Sequence, residues 1–333
     1  LSVGNEVSGI RLRPRAVDPK ATIEIKKNNV TVATMPSGRL LGRHSDLIPL
    51  NTGSTTLNIV VTTQGDNPVT KTYTLSVKRA DYTVTTTALS GPGALTTGIF
   101  YATSGDTIHI DASLDGATIN FKQTIDKRLH IDASSLPNGL TLSGSGADRV
   151  LYITDTGDLT LTNITIANGY ASGSGGGILN VGQLVMRNCK LIHNSAARGA
   201  GLANLTVAGN YALLLRTTIA NNTATQWGGA IFNSSYDDGL ILDRSSVHDN
   251  QAPIGSAIYN QASRIDIYST TIADNGSISS IDVVNDDIGT GFKIVYSTIT
   301  DHIDATNGGS TVLLENSIAG NVYGPVTAAG YNL

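Results

Sequence analysis

The chain has 333 residues, enough for two or three domains, with 36 Gly, 12 Tyr, 2 Met, a single Cys and a formal net charge of −4. No apolar run reaches the roughly 18 residues of a membrane span, so direct membrane insertion is not expected. One cysteine excludes an intramolecular disulfide framework and speaks against a Cys-based zinc site. The composition is that of a β-rich, exported protein. Leu1 opens abruptly in strand-like sequence, and a segment of a larger secreted chain is the expectation.

Charge divides unevenly. Residues 1–80 hold 11 Lys+Arg against 5 Asp+Glu, a net of +6, whereas residues 81–333 hold 11 against 21, a net of −10. An acidic long domain repels nucleic acid and anionic membrane. Arg11, Arg13 and Arg15 alternate along one strand face and read as solvated, so nucleic acid is not an expected partner.

Residues 1–80 carry short alternating runs, among them Ile23-Glu24-Ile25-Lys26, Leu57-Asn58-Ile59-Val60-Val61 and Lys71-Thr72-Tyr73-Thr74-Leu75-Ser76-Val77. Turn residues separate them at Asn28-Asn29, Pro36-Ser37-Gly38, Asn51-Thr52-Gly53 and Gly65-Asp66-Asn67-Pro68. Several short strands with frequent turns predict an antiparallel β-sandwich. The runs Ile48–Thr62 and Thr70–Ala80 resemble the end of a bacterial cadherin-like β-sandwich domain. The resemblance implies a spacer or a carbohydrate- or partner-facing unit; the absence of an Asp-x-Asp motif speaks against calcium-linked behaviour here. Residues 81–82 read as a linker.

From residue 83 onward the dominant signal is repetition. A Gly-rich phrase closes on Asn180, Asn204, Asn233 and Asn260, at spacings of 24, 29 and 27 residues. A second phrase closes on Asn194, Asn222, Asn250 and Asn275, at spacings of 28, 28 and 25. Between them lie β-branched, alternating strands with little helical periodicity. Strands that return this often, without room for crossover helices, predict a parallel β-helix with coils about 4.8 Å apart. Three inward columns follow: Cys189, Thr217, Ser245, Thr270; Leu191, Ile219, Val247, Ile272; and Ile178, Leu202, Ile231, Ile258. Gly and Asn suit corners that need φ > 0, and stacked Asn side chains predict a ladder. The span 83–333 predicts roughly ten coils of about 25 residues. Gly229 is expected to be intolerant of a side chain, and Gly239, in a variable turn, to be more forgiving.

Gly228-Gly229-Ala230-Ile231 and Ile219-Ala220-Asn221-Asn222, the latter with Ile in place of Phe, resemble the paired phrases of polymorphic outer-membrane-protein repeats. With Ser104–Ile108 and Leu159–Gly169, they place residues 83–333 beside the right-handed, pectate-lyase-like β-helix superfamily. The resemblance implies a right-handed β-helix and leaves function open, because that fold hosts adhesins, lyases, hydrolases and epimerases. An ice-binding face needs unbroken Thr columns, which are interrupted here. A phage tailspike shares the fold, but the amino-side cadherin-like module fits a cell-surface chain better.

The expected function is therefore adhesion or glycan binding, with a glycan or a host- or neighbour-cell surface component as partner. The alternative is a polysaccharide lyase or glycoside hydrolase. Such chemistry requires paired carboxylates and a base. Asp237, Asp238, Asp286 and Asp287 are the acidic candidates, at comparable corners two coils apart, with Lys293, Arg264, Tyr236 and His302 nearby. Asp238 and Asp287 are the positions for calcium, should the chain use one; no other cofactor is expected. Asp-Asp-Gly and Asn-Asp-Asp-Ile-Gly are also ordinary turn sequences. Arg216 and Arg244, beside Asn188, form a candidate contact stripe, and Trp227 and Tyr259, with Phe232, a candidate sugar-stacking cluster. His193 and His248 read as surface turn residues.

Overall fold

The computed structural model describes residues 1–5, 7–36, 44–235, 239–261, 263–276, 281–284, 292–306, 311–330 and 332. Among them the chain is all-β, with one α-helix at Leu95–Tyr101 and one 3-10 turn at Ala112–Leu114.

The N-terminal part is smaller than a sandwich. Strands Ser2–Val3, Thr22–Lys27, Val30–Pro36, Gly53–Thr62 and Thr70–Arg79 form one five-stranded sheet, antiparallel except where Ser2–Val3 runs parallel to Lys78–Arg79. Alternation puts Ile23, Ile25 and Leu57 on one face, where they pack with Met35 and Ile48. Over that face lies only a two-residue ladder, Gly9–Ile10 with Ile48–Pro49. The predicted second sheet is reduced to this ribbon, because beyond Ile10 the apolar face is covered by Leu12 and Ala16 from irregular chain.

The remainder is a right-handed parallel β-solenoid of about eight turns. Among the described residues its first face has eleven strands, from Tyr82–Val84 to Val326–Ala329; the second and third have nine each, beginning at Thr118–Asn120 and Gln123–Ile125. Ten turns were expected. Part of the shortfall arises because residues 85–104 form a loop and the helix Leu95–Tyr101, which plugs the mouth with Leu95 and Ile99 instead of adding a coil.

All three predicted columns are buried: Ile178, Leu202, Ile231 and Ile258 are fully inaccessible, as are Leu191, Ile219, Val247 and Ile272. Both Asn columns point inward. Asn180 Nδ2 donates to Asn204 Oδ1 (2.8 Å), Asn204 to Asn233 and Asn233 to Asn260 (2.7 Å each). The second ladder runs Asn194, Asn222, Asn250, Asn275 with 2.9 Å steps and ends on Asp301 Oδ2 at 3.0 Å. The Oδ1 atoms of Asn222, Asn250 and Asn275 also accept the backbone N–H of the preceding coil's Asn, and Asn194 Oδ1 accepts that of Gly169. Such bonds offset the cost of burying the amides; Asn180 Oδ1, at the head of the first ladder, is buried without a hydrogen-bond partner among the described residues.

The small-residue column forms a third ladder. The N–H groups of Thr217, Ser245, Thr270 and Ser297 donate in turn to the hydroxyls of Ser245, Thr270, Ser297 and Ser317 at 3.1–3.2 Å. Cys189 sits at the head of this column, 2% exposed, and burial pushes its thiol up to about 11. The thiolate is the reactive species. Cys189 should therefore resist a disulfide reagent in the native protein at pH 8 and react promptly in denaturant. Fast labelling of the native chain would place the thiol outside the core.

The corners depart from expectation in one respect. The ladder Asn residues do not adopt φ > 0. Asn163, Asn188, Arg216, Arg244, Ser269, Tyr296 and Asn316 do so between the first and second faces, at φ of 48–57°, and the first Gly of each phrase, Gly175, Gly199, Gly228 and Gly255, does so ahead of the third. Asn suits this conformation and Arg does not. Arg244→Asn should therefore raise unfolding free energy by about 0.5–1 kcal/mol, because the exposed Arg244–Asp243 pair contributes little. Denaturant titration measures it.

Candidate functional site

Of the predicted acidic candidates, Asp237, Asp238, Asp286 and Asp287 lie outside the described residues, as does Tyr236. Lys293 is described, and the solenoid register shows its surroundings. It projects outward from the first face, beside Asp266 on the preceding strand, with Glu315 on the following one. Lys293 Nζ lies 3.9 Å from Glu315 Oε2 and 5.9 Å from the Tyr268 ring centroid. Arg264 clamps Asp266 through Nε and Nη2, at 3.2 and 2.8 Å. Burial, then Asp266, raise the Tyr268 phenol above its ordinary value. Of the neighbours named with Lys293, Arg264 joins this cluster, whereas His302 packs 6.1 Å from Tyr323 near the third face.

A second ionisable group occupies the opposite end of the same face. His109 and Asp132 are register partners, with Nδ1 3.9 Å from Oδ2, and His130 Nε2 lies 2.8 Å from Thr162 Oγ1. Burial lowers the His130 imidazole pKa against the opposing pull of Asp132, with His109 and Arg187 adding to the fall. Burial also works against ionisation of Asp132, yet its hydrogen bonds from Ser134 and the two imidazoles hold it below the usual carboxylate value. The signal for this cluster was the alternation Leu129-His130-Ile131-Asp132. It was not usable without the coil register, because the Gly and Asn phrases fade in these early coils. Among the described residues no group of three His, Cys, Asp or Glu side chains is placed to hold a metal ion.

The candidate stripe is real as a juxtaposition. Arg216 Nε donates to Asn188 Oδ1 at 2.7 Å, one coil away, while Arg244 turns back on Asp243 at 3.0 and 3.2 Å. His193 is exposed at φ 55°, and His248 Nδ1 lies 2.7 Å from Asp249 Oδ2.

The aromatic cluster also forms. Trp227 and Tyr259 stack with centroids 5.4 Å apart, Phe232 and Tyr259 at 5.7 Å, and the Arg198 guanidinium lies 5.2 Å from the Trp227 centroid. Arg198 comes from the coil before Trp227 and Tyr259 from the coil after, so protein groups occupy both faces of the indole. A sugar stacks on an open ring face. Trp227 presents its edge, and the cluster reads as a brace along the corner.

Comparison with known protein families, with curated proteins and with solved structures finds no match.

Proposed function

We propose that this chain is a non-catalytic binding module of a bacterial secreted or cell-surface protein, with a glycan or a cell-surface component as partner. The observation that carries the reading is the first face. Eleven parallel strands make a continuous surface on which Asp132, Asp243, Asp266 and Glu315 are each matched by a neighbouring cation or imidazole, while burial raises the Asp158 carboxyl beside its register partner Arg128. Rows of paired side chains at a regular strand spacing suit contact with an extended polymer. General acid–base chemistry instead needs groups poised to gain and lose protons. The cadherin-like resemblance of the amino-side runs supports a surface protein, whereas the β-helix resemblance fits adhesin and enzyme alike. The net −10 of residues 81–333 disfavours nucleic acid. No helix among the described residues is long and apolar enough to cross a membrane.

The convergence of Lys293, Asp266, Tyr268 and Glu315 favours one rival, a polysaccharide lyase or hydrolase with calcium at Asp238 or Asp287, which calcium addition tests. A glycan array with a cell-adhesion assay tests the main reading, and retention without cleavage is expected. Product release from any polysaccharide, abolished by Lys293→Ala in a folded protein, would establish the rival.

A further inference from the structure

The strongest unassigned feature lies at the solenoid mouth, away from the candidates above. A groove of about 780 Å³ runs between the N-terminal residue Asn5 and the capping segment, lined among others by Thr83, Thr85, Thr97, Phe100 and Tyr101. That volume falls within the roughly 300–1,000 Å³ of small-ligand sites. Phe100 is 77% exposed, although it is one of only four Phe in the chain. Its ring meets Tyr101 edge-on, with centroids 5.1 Å apart and planes at 80°.

The two walls are tied together. Arg79 Nη2 donates to Asn5 O at 2.8 Å and to Tyr101 O at 2.7 Å, while Nη1 meets Asp106 Oδ2 at 2.6 Å. On the helix, Gly98 leaves room for the Tyr82 ring, which a Cβ there would meet at 2.6 Å, and Tyr82 OH donates to Ala94 O at 2.8 Å. Buried contacts from both parts of the chain therefore set the shape of the groove before any ligand arrives.

We propose that this groove binds a neutral oligosaccharide, a proposal that rests on the glycan-binding reading and assigns it a site and a ligand class. Among the described residues no charged side chain lines the groove. An ionic ligand would lose hydration there without a counter-charge. A wholly apolar ligand would leave the Thr83 and Thr85 hydroxyls at the exposed wall unused. A neutral sugar meets both demands, with C–H groups against an aromatic face and hydroxyls against Thr and Asn.

The test is calorimetry on the intact chain with cellohexaose, maltohexaose, mannohexaose and chitohexaose, and with hexagalacturonate as the acidic comparison. At least one neutral hexasaccharide should bind saturably and more tightly than hexagalacturonate. Phe100→Ala should weaken it about tenfold, the loss of an aromatic anchor, with an unchanged thermal midpoint because the side chain is exposed. Phe100→Tyr should retain binding. Glycan binding undiminished by Phe100→Ala, or preferring the acidic oligomer, overturns the groove and leaves the glycan-binding reading standing. No binding to these sugars or to a broad glycan array overturns both. Binding of an uncharged peptide at Phe100, with no neutral sugar bound, overturns the saccharide assignment.

Discussion

Arg79→Met should destabilise the chain by about 3–5 kcal/mol, the range for breaking a buried ion pair from one side. Arg79 and Asp106 are each 2% exposed and lie 2.6 Å apart. The guanidinium also donates to the carbonyls of Asn5, Leu50 and Tyr101 and to Thr103 Oγ1. Asp106 in turn accepts the N–H groups of Thr52 and Thr103, so one carboxylate bonds to both parts of the chain. Removing the arginine leaves that charge buried without its counter-ion. Arg79→Lys should recover little, because an ammonium cannot present the planar fork that reaches these oxygens. Adding Asp106→Asn to Arg79→Met should restore part of the loss. Chemical denaturation of the three variants is the measurement, and a loss below about 1 kcal/mol for Arg79→Met would show that the pair does not hold the junction.

Gly229→Val should lower stability by about 3 kcal/mol or more, as overpacking against backbone does. A Cβ there would run into the carbonyl oxygens of Ser256 and Gln251 in the next coil. Neither is the end of a flexible side chain, so the coils themselves must separate. Gly239, expected to be forgiving, is not. Its φ is +33°, and a Cβ would strike the Arg264 carbonyl and lie 2.6 Å from Ser235 Oγ. Its own carbonyl accepts from Asn204 Nδ2 and Ala212 N, both at 3.0 Å, which binds this turn to the buried ladder. Gly239→Ala should therefore cost about 2 kcal/mol. Gly173, with nothing within 4 Å of a Cβ, is the glycine that should tolerate alanine. Thermal midpoints in the order Gly173→Ala, Gly239→Ala, Gly229→Val, from mildest to most severe, check this account.

The fold was legible where residues repeat. The phrases ending at Asn180, Asn204, Asn233 and Asn260 identify register partners without any structure, because each coil solves the same packing problem with the same residue types. Even there the repeat position is an incomplete guide. Ala200 and Ser256 occupy the same phrase position as Gly229, so local backbone, and not position alone, decides where a Cβ fits. The cap helix was not legible. Leu95–Tyr101 contains two Thr, a Gly and no side-chain N-cap; it forms because the solenoid mouth needs an apolar plug, a tertiary demand that overrides weak propensity.

The site was less legible for the same reason. Trp227 and Tyr259 fall in the repeats, so their proximity could be read, but the Arg198 guanidinium that occupies the indole face could not. Arg79 resembles one more solvated charge at a strand end, and its partner lies 27 residues onward, beyond any local pattern. His109, His130 and Asp132 meet only once the early coils are in register.

The most direct test of the central claim, that this solenoid holds a glycan without turning it over, is the chain-length distribution of a polysaccharide that the immobilised protein retains. The account predicts that the retained polymer elutes at its original length after prolonged incubation, with calcium or without. Shortened chains, released by the parent protein and not by Lys293→Ala, would contradict it.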